Sequence, residues 1–380
     1  MKSIYIHIPF CVHKCFYCDF YSIERLKEIE SFVDALKKEI DLFFENNPER
    51  KSSEIETIYF GGGTPSLLKV SQLGSIFDYL NKYINIADDS EISLEANPGT
   101  MSDEKLVGYK SIGINRLSFG VQSFVDKDLK FLQRIHSAEA AYNSILKAKE
   151  RGFDNISLDL IFALPEQTMQ SWEYTLGRAI SLDVQHISAY SLIYEEGTPL
   201  YRDYQKGRVR RLENDLEADM LMQTIDELER VGYEHYEISN FAKNGLKCRH
   251  NQSYWQGREY IAFGPSAHGF FSERRYWNVS SLKKYYKKIH EKNLPIEGYE
   301  EISGEEKLTE KIYLNLRMGR LNLNELFESF ADFDFNETPK LLKNLEESGY
   351  LAIAYGEVLL TRKGYMSCDQ ISIQILNSIH

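Results

Sequence analysis

Long hydrophobic runs, cysteine and excess positive charge are all in short supply in this chain of 380 residues. No window approaches the roughly 18 uninterrupted apolar residues of a membrane-spanning helix, which leaves only peripheral membrane contact. Cysteine is limited to five residues, three of them clustered and the rest unevenly spaced, so a disulfide framework is excluded. The first residues show no basic leader followed by an apolar stretch, and the expected compartment is a reducing cytoplasm. Lys and Arg number 45 against 57 Asp and Glu, a formal charge of -12. Nucleic acid is therefore not an expected partner. Low-complexity linkers are absent, and so are internal repeats beyond an alternation of strands and helices.

What is present is a core-forming composition, 43% hydrophobic, sufficient for two or three domains. Short runs rich in β-branched residues alternate with amphipathic segments through the first 200 or so residues. The strand candidates are Ser3 to Ile8, Glu54 to Phe60, Glu91 to Ala96, Asn115 to Val121, Asn155 to Phe162 and Gln185 to Ile193. Helical spacing of Phe32, Val33, Leu36, Ile40 and Phe43 predicts a helix over Ser31 to Phe44, and another is expected over Ala138 to Glu150. The pattern predicts an α/β fold with a parallel sheet. After about residue 205 it gives way to a charged helix, Leu212 to Val231, and a polar, aromatic stretch. From about Glu305 it reads helix, helix, helix, then a hairpin of Leu351 to Ala354 and Val358 to Thr361, a winged-helix-like order. Residues 305 to 380 carry 8 Lys and Arg against 12 Asp and Glu, which disfavours DNA reading by this unit. Three units are expected: 1–210, 211–300 and 301–380.

Ligands of parallel sheets gather at the carboxyl ends of the strands. The chemically suggestive residues fall there: Cys11 to Cys18 after the first strand, Gly61-Gly62-Gly63-Thr64-Pro65 after the second, Glu95 to Pro98 ending the third, and Gln122 ending the fourth. Cys11, Cys15 and Cys18 have C-x3-C-x2-C spacing, three thiolates in one tight loop. That suits an iron–sulfur cubane with one open iron better than a zinc site, whose ligands usually fall in two separated pairs. A zinc loop completed by His7, His13 or Cys248 is the alternative reading.

C-x3-C-x2-C with the aromatic Tyr17 before its last cysteine resembles the signature of radical S-adenosylmethionine (radical SAM) proteins. The likeness extends over nearly the whole chain to the branch holding oxygen-independent coproporphyrinogen III oxidases (HemN) and haem chaperones (HemW). Its carriers are Tyr5-Ile6-His7-Ile8-Pro9-Phe10-Cys11, Gly61 to Ser66, Glu95-Ala96-Asn97-Pro98, Gly120-Val121-Gln122-Ser123-Phe124, Asp159-Leu160-Ile161 with Leu164-Pro165, and Gly264-Pro265-Ser266-Ala267-His268-Gly269. Each is weak alone, but their order and placement together are specific. The resemblance implies a radical SAM core, a partial parallel (β/α)6 TIM-like barrel, over 1–210. An α+β extension and a C-terminal winged-helix-like domain would follow. It implies a [4Fe-4S] cluster on Cys11, Cys15 and Cys18, with S-adenosylmethionine at the free iron.

By position, Tyr5, Tyr17, Gly62, Gly63, Thr64, Glu95, Gln122, Arg134 and Asp159 are the expected S-adenosylmethionine contacts. Bare glycines allow close approach to the amine and carboxylate, and the carboxylates accept from amine or ribose hydroxyls. Within the branch, three features point to the haem chaperones. Phe20 stands where the oxidases have a further cysteine, and only four residues precede Tyr5. His250-Asn251-Gln252-Ser253-Tyr254-Trp255 matches the His-Asn-x-x-Tyr-Trp motif of the HemW branch. The expected haem contacts are His250, a ligand for iron, with Tyr254 and Trp255 as flat apolar faces. Cys248 is a weaker candidate, and His268 faces either a ligand or buried backbone groups. The implied role is delivery of haem to acceptor proteins, respiratory ones among them, by a chain for which a homodimer is allowed. Oxidative decarboxylation of coproporphyrinogen III is the alternative. No catalytic residue is assigned.

Overall fold

The computed structural model describes residues 2–380, framed by a twelve-stranded sheet. Strands β1 (Ser3–Ile8), β2 (Glu54–Gly62), β3 (Asn85–Ala96), β4 (Arg116–Gln122), β5 (Ile156–Phe162) and β6 (His186–Ser191) pair in chain order, all parallel. Helices connect them, among them Ile29–Asn46, Val70–Leu80, Ala138–Glu150 and Met169–Ser181. These are the six expected strand–helix units, with strand ends moved by a few residues. The larger change is β3, which begins six residues early because Asn85 and Ile86 pair with Glu54 and Ile55 across a bulge.

Residues beyond 210 extend this same sheet at both edges. On one side β8 (Asn240–Ala242) runs antiparallel beside β6, and β7 (Glu234–Glu237) antiparallel beside β8. On the other, β9 (Tyr260–Phe263) lies parallel beside β1, followed by antiparallel β10 (His268–Phe271), β11 (Arg274–Asn278) and β12 (Ile296–Glu301). Otherwise β1 and β6 would present rows of unpaired backbone groups.

Strand alternation decides where chemistry can sit. One face of the parallel strands is apolar and fully covered: Ile4, Ile6 and Ile8 of β1, Ile58 and Phe60 of β2, Leu117, Phe119 and Val121 of β4. These pack against the apolar stripe of the helices, including Phe32, Leu36 and Ile40. The other face is polar, with Tyr5 and His7, Thr57 and Tyr59, Glu91, Ser93 and Glu95, Arg116 and Ser118, Ser157 and Asp159, and His186 and Ser188 in successive strands. An interior of this kind needs every group partnered, and a bound molecule can be one of the partners.

A second hydrophobic core contains Leu308, Ile312, Leu316, Leu342, Leu351, Val358 and Ile371. It joins the helices Gly304–Arg317, Thr338–Glu347 and Cys368–Asn377 to a three-stranded sheet of β13 (Arg320–Asn322), β14 (Leu351–Ala354) and β15 (Glu357–Leu360). The β14–β15 turn takes φ of 53° at Tyr355 and 79° at Gly356, the left-handed pair that tight hairpins favour. Among the described residues no helix is long and apolar enough to cross a membrane.

Candidate functional site

The cysteine loop leaves β1 and is tied back on both sides. Cys11 N donates to Ile23 O at 3.0 Å, Ile23 N donates to Pro9 O at 2.7 Å, and His7 Nε2 lies 2.8 Å from Tyr21 O. Cys11 and Cys15 are buried and Cys18 half-buried; all five cysteines are free. Two sulfurs already have donors facing them: Thr64 Oγ1 lies 3.6 Å from Cys11 Sγ, and Arg134 Nη1 lies 3.5 Å from Cys15 Sγ.

The glycines after β2 earn their place first by what they pack against. A Cβ on Gly63 would stand 2.7 Å from Phe10 O and 2.9 Å from Ile8 O, under the base of the cysteine loop. Gly62 takes φ of 107°, and a Cβ there would meet the His7 ring at 2.5 Å. The sequence suggested room for a ligand; the structure adds that these two residues bring the strand end against the loop.

A cavity of about 460 Å³ opens beside the loop, within the size range of organic-ligand sites. It is lined by Tyr17, Gly62, Gly63, Thr64, Glu95, Gln122, Arg134 and Asp159, eight of the nine residues expected around S-adenosylmethionine, and by Cys18. Tyr5 lies apart. Its hydroxyl is 3.1 Å from His7 Nδ1, and it faces a second cavity instead. Gln122 is aimed inward by a bulge in β4, where it adopts φ of 69°. Sequence reasoning missed Tyr59, Ser118 and Tyr190, which share the wall. The register of the parallel strands is what places them on the same polar face as Glu95 and Asp159.

The electrostatics of this cavity favour a cation. Glu95 accepts from Tyr59 OH at 2.9 Å and Gly62 N at 3.1 Å, yet burial, then the Asp159 charge, push its carboxyl up to about 7. Asp159 accepts from Ser118 at 3.1 Å and is pushed up to about 6, chiefly by burial. Burial also raises the Cys18 thiol to about 11. Positive charge, as on a sulfonium, an amine or iron, would favour the ionised forms that burial opposes in these two carboxyls and the thiol. Arg134 bonds Gly120 O at 2.7 Å and Asn97, while its buried Nε has no partner, an orphan donor at the cavity wall. Among the described residues no three His, Cys, Asp or Glu side chains converge closely enough to hold a single metal ion. The set fits a cluster that spreads its thiolates, with an amino-acid cation beside it.

The second cavity, about 550 Å³, shares Asp19, Phe20, Tyr59, Gly62, Glu95 and Tyr190 with the first. The helix Arg249–Trp255 forms its floor, its first amides Arg249 N and His250 N each 3.2 Å from the Glu91 carboxylate. Arg116 faces Glu91 at 3.9 Å. Cys248 Sγ donates to Glu91 Oε1 at 3.7 Å, burial pushes that thiol up to about 12, and the residue is not among those lining the cavity. His250 is 1% exposed and both its ring nitrogens are engaged, Nδ1 with Thr57 Oγ1 at 2.8 Å and Nε2 with Tyr254 OH at 2.7 Å. Burial lowers it to about 3, which keeps it neutral. His250 and Tyr254, four apart on the helix, both line the cavity, whereas Trp255 is not among its walls and has an unpartnered buried Nε1.

The sequence family described as the Radical SAM superfamily matches residues 5–179. A curated relative, the "Heme chaperone HemW" of Bacillus subtilis (strain 168), is 39% identical over 378 residues, 98% of each chain. Its counterpart of the same name in Lactococcus lactis is 35% identical over 86% of this chain and 84% of its own. Among solved structures, coproporphyrinogen III oxidase (HemN) from Escherichia coli matches with a TM-score of 0.84 over 98% of this chain and 89% of that one. At 24% identity that is a likeness of fold.

Proposed function

We propose that this chain, which belongs to the HemW family, is a haem chaperone that binds haem in the aromatic cavity and passes it to acceptor proteins, respiratory ones among them. Cys11, Cys15 and Cys18 would hold a [4Fe-4S] cluster. Gly62, Gly63, Thr64, Glu95, Gln122, Arg134 and Asp159, with Tyr17 at the loop, would hold S-adenosylmethionine beside it. When bound, that pair supplies one-electron reduction of a sulfonium. Tyr5 acts one step back, steadying His7 and through it the end of the cysteine loop. Free cysteines and the acidic balance suit a reducing cytoplasm and a protein partner.

The observation that carries the reading is the second cavity: aromatic, some 550 Å³, and joined through Phe20 and Tyr59 to the cavity that fits S-adenosylmethionine. Alignment end to end with haem chaperones supports it. Phe20 is 63% exposed at the shared mouth, and Ile193, at 64%, borders the first cavity. Both offer apolar surface to a planar molecule that must also leave.

The test is to reconstitute the protein anaerobically and offer ferric haem and coproporphyrinogen III separately. Stable haem binding without turnover of the porphyrinogen is expected. Protoporphyrinogen formed at enzymatic turnover would replace this function with oxidative decarboxylation.

A further inference from the structure

Three histidines, His7, His250 and His268, line the aromatic cavity, and an imidazole can ligate an iron porphyrin only through a ring nitrogen with a free lone pair. His7 has neither nitrogen free: Nδ1 is 3.1 Å from Tyr5 OH and Nε2 is 2.8 Å from Tyr21 O. His250 is closed in the same way by Thr57 and Tyr254, at the cavity floor. His268 differs from both. It is exposed at the cavity rim, its side chain has no hydrogen-bond partner among the described residues, and its ring lies against Trp277 across the β10–β11 pair, centroids 6.3 Å apart and planes at 25°.

We propose that His268, at the start of β10, is the residue that ligates the iron of bound haem, while His250 and Tyr254 form a closed polar floor beneath it. This rests on the haem reading given above and sharpens it. Partial burial, then the neighbouring Arg275, lower the pKa of His268 from its ordinary value, so its ring is neutral and carries a lone pair at physiological pH. The arrangement also suits release. A ligand at the rim can exchange with an acceptor's ligand without opening the core, whereas ligation through His250 would first have to break its 2.7 Å contact with Tyr254 and then bring the iron to the cavity floor. Tyr260 of β9 and Tyr254 line the cavity as aromatic walls.

The experiment titrates ferric haem into the anaerobically reconstituted full chain, reading the Soret band and the low-temperature electron paramagnetic resonance of the iron. Wild type, His268→Ala and His250→Gln are compared, the last keeping an amide that can bond Thr57 and Tyr254. The expected result is an imidazole-type spectrum in wild type and in His250→Gln. In His268→Ala that spectrum should be lost, with affinity at least tenfold weaker, and should return on adding free imidazole. Among the described residues the His268 side chain has no hydrogen-bond partner, so its removal strands no buried group and takes away the ring contact with Trp277. If the imidazole spectrum survives in His268→Ala and vanishes in His250→Gln, the ligand assignment is overturned while haem binding stands. If wild type shows no Soret change at all, the haem reading falls and the ligand assignment with it.

Discussion

The hydroxyl of Tyr254 sits 2.7 Å from Nε2 of His250, one helical turn away, and closes the side of that ring that faces the cavity. Tyr254→Phe removes that partner and leaves a buried nitrogen unpaired. A loss of about 1–3 kcal/mol in unfolding free energy is expected, the usual penalty for stranding a buried polar group. Urea denaturation of the ligand-free protein measures it. A change within 0.5 kcal/mol, as at about the level of an ordinary surface substitution, would mean the contact is incidental.

With Glu95 and Asp159 in the proposed S-adenosylmethionine site, binding should depend on pH. Both folded-state values, about 7 and about 6, lie above the ordinary carboxyl values of 4.5 and 3.8. In the ligand-free protein their contribution to stability is therefore fully present below the ordinary range and is lost as pH rises through 6 to 7. A cationic ligand has the opposite preference, for ionised carboxylates, and its binding releases protons. Calorimetric titration from pH 5.5 to 8 should show affinity rising through roughly 6 to 7 and levelling above. Affinity that is flat or falls over this window contradicts the assignment of these two carboxyls to the site.

Gly63→Ala tests whether the strand end must lie against the loop. The added methyl would meet two backbone carbonyls, Phe10 O at 2.7 Å and Ile8 O at 2.9 Å, neither of which is a flexible side-chain end. The reconstituted variant should lose most of its iron and sulfide while far-ultraviolet circular dichroism stays near wild type. Full cluster content would show that the loop can shift without cost.

Phe20→Ser at the shared mouth should weaken haem binding about tenfold, since burying a Phe ring against a ligand is worth roughly 1.5–3 kcal/mol and this ring is only partly covered. Cluster content should not change. Equal haem affinity would place the porphyrin away from the mouth.

The parallel core was legible because β-branched runs and helical spacing recur without interruption, so β1 to β6 and the helix Ala138–Glu150 appear nearly where periodicity predicts. So was the hairpin of β14 and β15, expected at Leu351 to Ala354 and Val358 to Thr361 and found at Leu351–Ala354 and Glu357–Leu360. The strands β7 to β12 were not. They are three to six residues long, and what makes them strands is pairing with the sheet's edges, which no local pattern records. Most cavity residues named from motifs lie at strand ends or in the loops just after them, where spacing from the strand is short, whereas Asp159 lies inside β5 and Arg134 after a helix. Tyr59, Ser118 and Tyr190 sit inside strands and read as ordinary core until the inner face is known to be polar. His250 shows the converse: a motif marks the right wall of a cavity, but only three-dimensional neighbours reveal that both its nitrogens are already used.

The central claim is that this chain carries haem in order to give it away. The direct measurement is haem transfer: load the reconstituted protein with one equivalent of ferric haem, add the apo form of a haem-binding respiratory protein, and follow the two Soret spectra with time. The account predicts decay of the chaperone-bound spectrum matched by growth of the acceptor's. Haem that stays bound in the presence of excess acceptor would contradict it.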